Sequence, residues 1–357
     1  GIMGLNENIR NNIRQVEPYI PGEQPQNKVI KLNTNENPYP PAPGVKKVLE
    51  EMEADRLRKY PDPTASILVK ELASYYGLNE DQVFVGVGSD DVLAMSFLTF
   101  FNSDKPVLFP DVTYSFYKVW ADLFKVPFET PVLKEDFTID VKDYEKENGG
   151  VIFPNPNAPT GVYMPLDQVE EILKANQDVV VIVDEAYVDF AGPSALELLD
   201  KYENLLVVQT FSKSRSMAGM RIGFAMGHPD LIRALNDVKY SYNSYTMNLP
   251  SLLAGVEAVK DKEYFEKTIE KIVATREHAK KRLTELGFTF PNSQSNFIFA
   301  SHKSVPAEKI FEALKKEQIY VRYFKTPGLD NSLRISIGTD EEMDTLFRFL
   351  EAYLPNA

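Results

Sequence analysis

Residues 179–187 read Val-Val-Val-Ile-Val-Asp-Glu-Ala-Tyr. A strand that is apolar at every position is buried on both faces, as are the central strands of a parallel sheet that helices cover on both sides. A carboxylate at the end of such a strand is costly to bury unless a cation or a hydrogen-bond donor meets it. Asp184 therefore indicates a partner, either a structural arginine or a protonated ring nitrogen of a ligand. Tyr187, three residues on, is placed to point its hydroxyl at the same ligand.

Short β-branched runs on both sides of this strand alternate with helical patterns from about residue 65 to residue 255. This alternation predicts a large α/β unit with a mostly parallel sheet built from βαβ units. The further strands are predicted at 83–87, 107–109, 151–153, 205–208 and 222–225, and the helices between them at 90–101, 114–123 and 165–175.

The pattern changes after Pro250 to long amphipathic helices, one of them over residues 262–285. Strands predicted at 297–300, 319–323 and 333–337, with helices from Pro306 and Asp340, indicate a smaller α+β unit. We therefore predict an N-terminal arm over residues 1–35 that packs with the small domain, a large domain over 36–262 and a small domain over 263–357.

The composition excludes several classes of protein. The chain has 357 residues, 43% of them hydrophobic and 25% charged, and a net charge of -13, which argues against a nucleic-acid partner. It has no Cys and only three dispersed His, so we expect no disulfide and no metal site. Because no apolar run reaches about 18 residues, we expect a cytoplasmic protein without a membrane partner.

Lys213 follows the apolar run 205–208 in the sequence Thr210-Phe211-Ser212-Lys213. A nucleophilic lysine needs partial burial to lower its pKa and a rigid strand to aim it, and this position offers both. A lone lysine is far more often a surface charge, so the neighbouring motifs decide between the two interpretations.

Two motifs are suited to an anion. Gly88-Ser89-Asp90 leads from the strand at 83–87 into a helix, where free backbone N–H groups and the helix dipole favour a phosphate, although a plain glycine turn with an acidic cap has the same sequence. Arg221 returns eight residues after Lys213, beside the hydroxyls of Thr210 and Ser212, and can form a second phosphate contact.

Together these residues match pyridoxal 5'-phosphate, which has an aldehyde, a pyridine nitrogen, a phenolic oxygen and a phosphate. The proline-rich loop 154–161 adds rigidity that would hold an Asn side chain on the ligand. Neither a G-x-G-x-x-G motif nor a G-x-x-x-x-G-K-[ST] motif supports a dinucleotide or a nucleoside triphosphate.

The chain resembles the fold-type I, aspartate-aminotransferase-like pyridoxal-phosphate enzymes and, within them, the histidinol-phosphate aminotransferases. The resemblance covers nearly the whole chain. The motifs on which the resemblance rests are Asn35-Glu36-Asn37-Pro38, Lys59-Tyr60-Pro61-Asp62-Pro63, Asn157-Ala158-Pro159-Thr160-Gly161, Asp184-Glu185-Ala186-Tyr187, Ser212-Lys213 with Arg221, and Leu333-Arg334-Ile335.

The resemblance implies roles for the cofactor-binding residues. Lys213 would bond covalently to the cofactor aldehyde, Asp184 would pair with the ring nitrogen and Tyr187 would bond the phenolic oxygen. The remaining contacts implied are Tyr114 stacked on the ring, Tyr60 reaching the phosphate of the neighbouring subunit of a homodimer, and a phosphate site formed by Ser89, Asp90, Thr210, Ser212 and Arg221.

One position departs from the family. Many members have Asn directly before Pro-Thr-Gly, where this chain has Ala158, with Asn157 one position earlier. Either Asn157 bonds the phenolic oxygen through a shifted loop, or Tyr187 alone holds it.

At the substrate end, Arg334 matches the family arginine that binds the anionic group of the substrate. Arg322 adds a second contact or is a surface arginine at a strand edge, and the two interpretations have even weight. Tyr19, Asn35 and Asn296 are implied, by resemblance only, to contact the substrate's imidazole and phosphate.

The resemblance implies a transaminase that interconverts histidinol phosphate and 2-oxoglutarate with imidazole acetol phosphate and glutamate in histidine biosynthesis. An aromatic amino acid aminotransferase and a decarboxylase of a phosphorylated substrate are alternatives on the same fold. A non-catalytic, cofactor-sensing regulator is a further alternative, but it needs a DNA-binding module for which the sequence offers no basic segment.

Overall fold

The computed structural model describes residues 4–357, so the first three residues of the predicted arm lie outside it. Two sheets organise this part of the chain. The strands, in chain order, are β1 (Ile30–Leu32), β2 (Val83–Gly86), β3 (Val107–Leu108), β4 (Phe128–Glu129), β5 (Gly150–Pro154), β6 (Val181–Asp184), β7 (Leu205–Thr210), β8 (Gly223–Gly227), β9 (Phe288–Thr289), β10 (Phe297–His302), β11 (Ile319–Tyr323) and β12 (Leu333–Ser336).

Helices cover both sheets. The α-helices, in chain order, are α1 (Glu7–Asn11), α2 (Pro43–Glu51), α3 (Ser66–Tyr76), α4 (Ser89–Phe100), α5 (Phe116–Leu123), α6 (Leu166–Ala175), α7 (Pro229–Tyr242), α8 (Leu249–Lys260), α9 (Lys262–Glu285), α10 (Ala307–Lys316) and α11 (Asp340–Tyr353). None of the helices within residues 4–357 is long and apolar enough to cross a membrane.

The large sheet has seven strands in the order β2-β8-β7-β6-β5-β3-β4. The predicted mostly parallel α/β architecture is confirmed, and β8 is the exception because it runs antiparallel to both β2 and β7. The connection from β7 to β8 contains no α-helix, and antiparallel neighbours can be joined without the long crossover that parallel ones need.

The strand β6 lies at the centre of this sheet and is buried on both faces, as its sequence predicts. Val181 and Val183 belong to the apolar cluster on one face, whereas Ile182 belongs to the cluster on the other. This alternation places Asp184 at the carboxyl end of a strand that no solvent reaches from either side.

The small sheet has five strands in the order β1-β11-β12-β10-β9. Its first strand comes from the predicted arm, in which the sequence shows little periodicity, because three residues are too short to show an alternating pattern. β1 pairs in parallel with β11, and Thr34, two residues after β1, accepts a hydrogen bond from Lys213, which follows β7 of the large sheet. The domain boundaries at 35/36 and 262/263 stay predictions.

Candidate active site

A cavity of about 220 Å³ lies where the carboxyl ends of β6 and β7 meet β11, β12 and the segment after β1. It gathers most of the side chains that the sequence singles out. The predicted residues that line it are Tyr19, Asn35, Ser89, Asp90, Tyr114, Asp184, Tyr187, Thr210, Ser212, Lys213, Arg221, Arg322 and Arg334.

Lys213 reaches the cavity three residues after the end of β7. Its Nζ donates a hydrogen bond to the backbone oxygen of Thr34 at 2.9 Å. Burial, with a smaller contribution from the charge of Arg334, lowers the pKa of Lys213 to about 8. A lowered pKa leaves more of the amine neutral near physiological pH, which is the state required of a nucleophile or a base.

Asp184 is only 4% exposed at the end of β6. Its Oδ2 accepts a hydrogen bond from the Tyr117 hydroxyl at 2.7 Å, whereas its Oδ1 is buried without a partner among the described residues. Burial raises the pKa of Asp184 to about 6, and the bond from Tyr117 opposes that shift. The free Oδ1 is therefore suited to an N–H donor supplied by a ligand.

Tyr117 was not identified as a site residue from the sequence. It lies on α5, fully buried, and its aromatic side chain is indistinguishable by pattern from a core position. The useful signal is that a buried tyrosine hydroxyl requires a partner, and the carboxylate at the end of β6 provides one.

The anion end of the cavity is the turn before α4. Gly88 has φ +96°, and a Cβ there would lie 2.5 Å from the Arg221 guanidinium. A Cβ on Gly223 would lie 2.3 Å from the Gly88 backbone, so β8 packs directly on this turn. Arg221 donates to Ala218 O at 3.0 Å and lies 3.5 Å from Ser212 Oγ. The free amides at the start of α4 and this guanidinium suit a phosphate.

Asp90 and Tyr114 bond each other at the same end. The Tyr114 hydroxyl donates to Asp90 Oδ1 at 2.8 Å, and burial raises the pKa of Asp90 while this bond opposes the shift. The bond fixes the Tyr114 ring at the cavity wall.

The two arginines predicted at the substrate end face each other across the small sheet, because Arg322 of β11 is the register partner of Arg334 of β12. Their guanidinium carbons lie 5.0 Å and 5.5 Å from the ring centroid of Phe324. Arg334 donates to Asn33 O at 2.9 Å, and its Nε is buried without a partner among the described residues. Like charges placed opposite each other repel, so this pair favours an anion between or beside them.

The N-terminal arm covers this end of the cavity. Arg322 Nη2 donates to Ile20 O at 2.9 Å, and the neighbouring Tyr19 stacks on Phe116 with ring centroids 4.2 Å apart. The arm also contributes Gly22 and Gln24 to the lining, neither of which the sequence indicated. Arg322 is thus a cavity residue, not a free surface arginine.

Three predicted residues lie away from the cavity lining. Tyr60 is 81% exposed and stacks on Tyr245 at 4.6 Å between centroids. The side chain of Asn157 holds its own loop, since its Nδ2 donates to Val112 O and Thr160 Oγ1. Asn296 is fully buried and donates to Asn35 O at 2.8 Å.

The direct ligand contacts implied for Asn157 and Asn296 stay predictions, and neither residue lines the cavity. Both amides bond protein groups, and these bonds hold them behind the cavity wall.

The cavity's features fit pyridoxal phosphate. The amine of Lys213 matches the aldehyde, the unpartnered Oδ1 of Asp184 matches the protonated ring nitrogen, and the turn before α4 with Arg221 matches the phosphate. Among the described residues no cluster of His, Cys, Asp and Glu has the geometry to hold a metal ion.

A family model and two known proteins match nearly the whole chain. Residues 27–350 match the family model described as aminotransferase class I and II. The chain is 52% identical over 345 residues to histidinol-phosphate aminotransferase of Brachyspira hyodysenteriae, covering 96% of this chain and 98% of that one. It is 54% identical over 332 residues to the protein of the same name from Clostridium acetobutylicum, covering 93% and 94%.

A solved structure is also similar. The histidinol-phosphate aminotransferase of Sinorhizobium meliloti in complex with pyridoxal-5'-phosphate superposes with a TM-score of 0.83 at 25% identity, over 90% of each chain.

Proposed function

Because the chain belongs to the class I and II aminotransferase family, we infer that it is a pyridoxal-phosphate-dependent histidinol-phosphate aminotransferase. It interconverts histidinol phosphate and 2-oxoglutarate with imidazole acetol phosphate and glutamate. Relatives of that name share about half of its residues over nearly the full chain. The observation that carries the cofactor assignment is the buried, unpartnered Oδ1 of Asp184 in the same cavity as Lys213.

The roles of the chain's residues follow from their positions. When bound, the cofactor supplies a ring that accepts the electrons of the developing carbanion. Asp184 Oδ1 keeps the ring nitrogen protonated, and Lys213 Nζ moves a proton at the substrate carbon. Backbone amides at Ser89 and Asp90, with Thr210, Ser212 and Arg221, would hold the cofactor phosphate, and Tyr114 would pack on the ring.

Steady-state kinetics with histidinol phosphate and 2-oxoglutarate test this function. We expect glutamate formation with a kcat/KM much higher than for phenylalanine, and no release of carbon dioxide. A preference for phenylalanine would assign the aromatic aminotransferase instead, and carbon dioxide release would assign the decarboxylase.

The paired arginines give the first specific prediction. Arg334→Ala should lower kcat/KM for histidinol phosphate by about 10- to 150-fold, since a hydrogen bond to a charged group contributes about 1.5–3 kcal/mol. In the same variant, kcat/KM for histidinol, which lacks the phosphate, should fall much less. Arg334 also bonds Asn33 O, so thermal melting of the variant checks that the fold is intact. An equal loss with both substrates would contradict phosphate binding by Arg334.

We further propose a homodimer in which Tyr60 serves the neighbouring subunit's site. The side chain is exposed within one chain, and Tyr240, Tyr242 and Tyr245 are also exposed large side chains. Tyr60 stacks on Tyr245, and exposed aromatic side chains in contact are typical of an interaction surface.

Mixed dimers test the shared site. Lys213→Ala and Tyr60→Ala subunits are each expected to be defective, but a heterodimer places an intact Lys213 and an intact Tyr60 in one of its two sites. Refolding the two variants together should therefore restore roughly a quarter of wild-type activity, as expected from random pairing of subunits in a two-fold dimer. If the mixture is no more active than its components, Tyr60 acts within its own subunit.

A further inference from the structure

Position 158 lacks the amide that many relatives of this fold place before Pro-Thr-Gly. Ala158 lines the cavity but carries no hydrogen-bonding group. The adjacent Asn157 is no substitute, because its Nδ2 donates to Val112 O at 3.1 Å and to Thr160 Oγ1 at 3.0 Å. This loop therefore offers no side-chain amide to the phenolic oxygen of the cofactor.

Another side-chain amide, that of Asn35, contacts Tyr187. Asn35 is 1% exposed, and its Nδ2 donates to the Tyr187 hydroxyl at 3.0 Å. Its backbone has φ +58°, a left-handed conformation that Asn tolerates better than most residues. Asn296 holds the Asn35 carbonyl at 2.8 Å, so this conformation is fixed from the small-sheet side.

The orientation of the Asn35 amide follows from its bonds to Ser336. Ser336 Oγ accepts the backbone N–H of Asn35 at 2.9 Å and donates its own proton to Asn35 Oδ1 at 2.8 Å. The amide oxygen therefore faces Ser336, and the amide nitrogen faces Tyr187.

This orientation of the Asn35 amide determines which hydrogen bond the Tyr187 hydroxyl accepts and which it can donate. Its oxygen accepts from Asn35, and among the described residues the hydroxyl has no other hydrogen bond. Its single proton is therefore free to point into the cavity, which Tyr187 lines.

We propose that Asn35 is a positioning residue that orients the Tyr187 hydroxyl toward the phenolic oxygen of the cofactor, in place of the amide absent at position 158. This inference rests on the proposed function, because it requires pyridoxal phosphate in the cavity. The chain Ser336–Asn35–Tyr187 thereby connects the small sheet to the cofactor ring.

Charged groups around Tyr187 stay the same when Asn35 is changed. Burial raises the pKa of Tyr187; among the nearby charges Arg334 lowers it and Asp184 and Asp90 raise it, and the Lys213 Nζ lies 5.9 Å from the ring centroid. A neutral replacement of Asn35 therefore tests the hydrogen bond without adding a charge.

The experiment is Asn35→Ala, measured by the pH midpoint of the visible absorbance change of added pyridoxal phosphate. A donor to the phenolic oxygen favours its anionic form and lowers that midpoint. We expect the variant to raise the midpoint by about 0.5–1 pH unit, the size expected for one hydrogen bond. Melting of the cofactor-free variant checks the fold. If Asn35→Ala does not fold, Ser336→Ala, which frees the amide to rotate, should shift the midpoint in the same direction.

The matched control is the same substitution in a Tyr187→Phe background. Without the hydroxyl, Asn35→Ala should leave the midpoint unchanged, because the two residues act through one bond. An unchanged midpoint in the Tyr187 protein, or an equal shift in both backgrounds, overturns the positioning role while the aminotransferase assignment stands. If the absorption band of pyridoxal phosphate added to the wild-type protein does not differ from that of the free cofactor, the proposed function itself fails.

Discussion

Lys213→Ala is expected to lower the rate of transamination by at least about 10⁴-fold. Proton transfer by a positioned side chain contributes about 10²–10⁴-fold, and the covalent role of the amine adds to it. Among the residues that line the cavity, Lys213 alone has an amine. Single-turnover glutamate formation from histidinol phosphate and 2-oxoglutarate measures the loss.

The stability of this variant separates a chemical effect from unfolding. The lowered pKa of Lys213, about 8 against an ordinary value of 10.5, means that the folded protein binds this proton less tightly than the unfolded chain. Below pH 8 the buried ammonium therefore opposes folding, and Lys213→Ala should melt no lower than wild type at pH 7. Lys260→Ala, at the exposed end of α8, is the matched control and should retain full activity. Substantial turnover by Lys213→Ala would remove the lysine from the mechanism.

Asp184→Asn is expected to lower kcat by about 10²–10³-fold, the range found when one preorganised electrostatic contact at a reacting centre is removed. A neutral amide no longer favours the protonated ring nitrogen. The visible spectrum of bound pyridoxal phosphate reports the protonation of the ring nitrogen, and kcat at saturating substrate reports the catalytic loss. An unchanged kcat would exclude the electron-accepting role of the ring nitrogen.

The same substitution should stabilise the cofactor-free protein at alkaline pH. The pKa of Asp184 rises from 3.8 to about 6 on folding. Its contribution to stability is therefore fully present below about pH 4 and is lost as the pH rises through 6. At pH 8 the cofactor-free Asn variant should be more stable by about 3 kcal/mol, and the difference should vanish near pH 4. Urea unfolding at both pH values measures it, and a variant less stable at pH 8 would contradict the cost of burying this carboxylate.

The sequence predicted the part of the site that lies at strand ends. An unbroken apolar run ending in Asp184, and another followed by Lys213, give both burial and direction, because parallel strands end at the same edge of a sheet. The Ser89 turn reaches this edge because it follows β2, whereas Arg221 reaches it because it precedes the antiparallel strand β8.

The sequence did not predict contacts made by backbone groups of distant segments or by side chains that have the pattern of core residues. Thr34 acts through its carbonyl oxygen, which any residue type supplies. Tyr117 has the pattern of an ordinary core aromatic, and Ser336 reaches Asn35 across roughly 300 residues of chain. The antiparallel direction of β8 was also not encoded in local periodicity, which reports burial and not strand direction.

The parallel pairing of β1 with β11 sets the order in which the site is assembled during synthesis. Ile30 leaves the ribosome roughly 290 residues before Ile319, its register partner. Until then β1 lacks its partner strand, so the segment that leads to Thr34 and Asn35 is held only by its own contacts with Lys213 and Tyr187. The large sheet can fold first, since domains fold as units from the N-terminal side of the chain. The backbone segment that carries the Thr34 carbonyl to Lys213 is therefore anchored in the small sheet only after β11 has been synthesised.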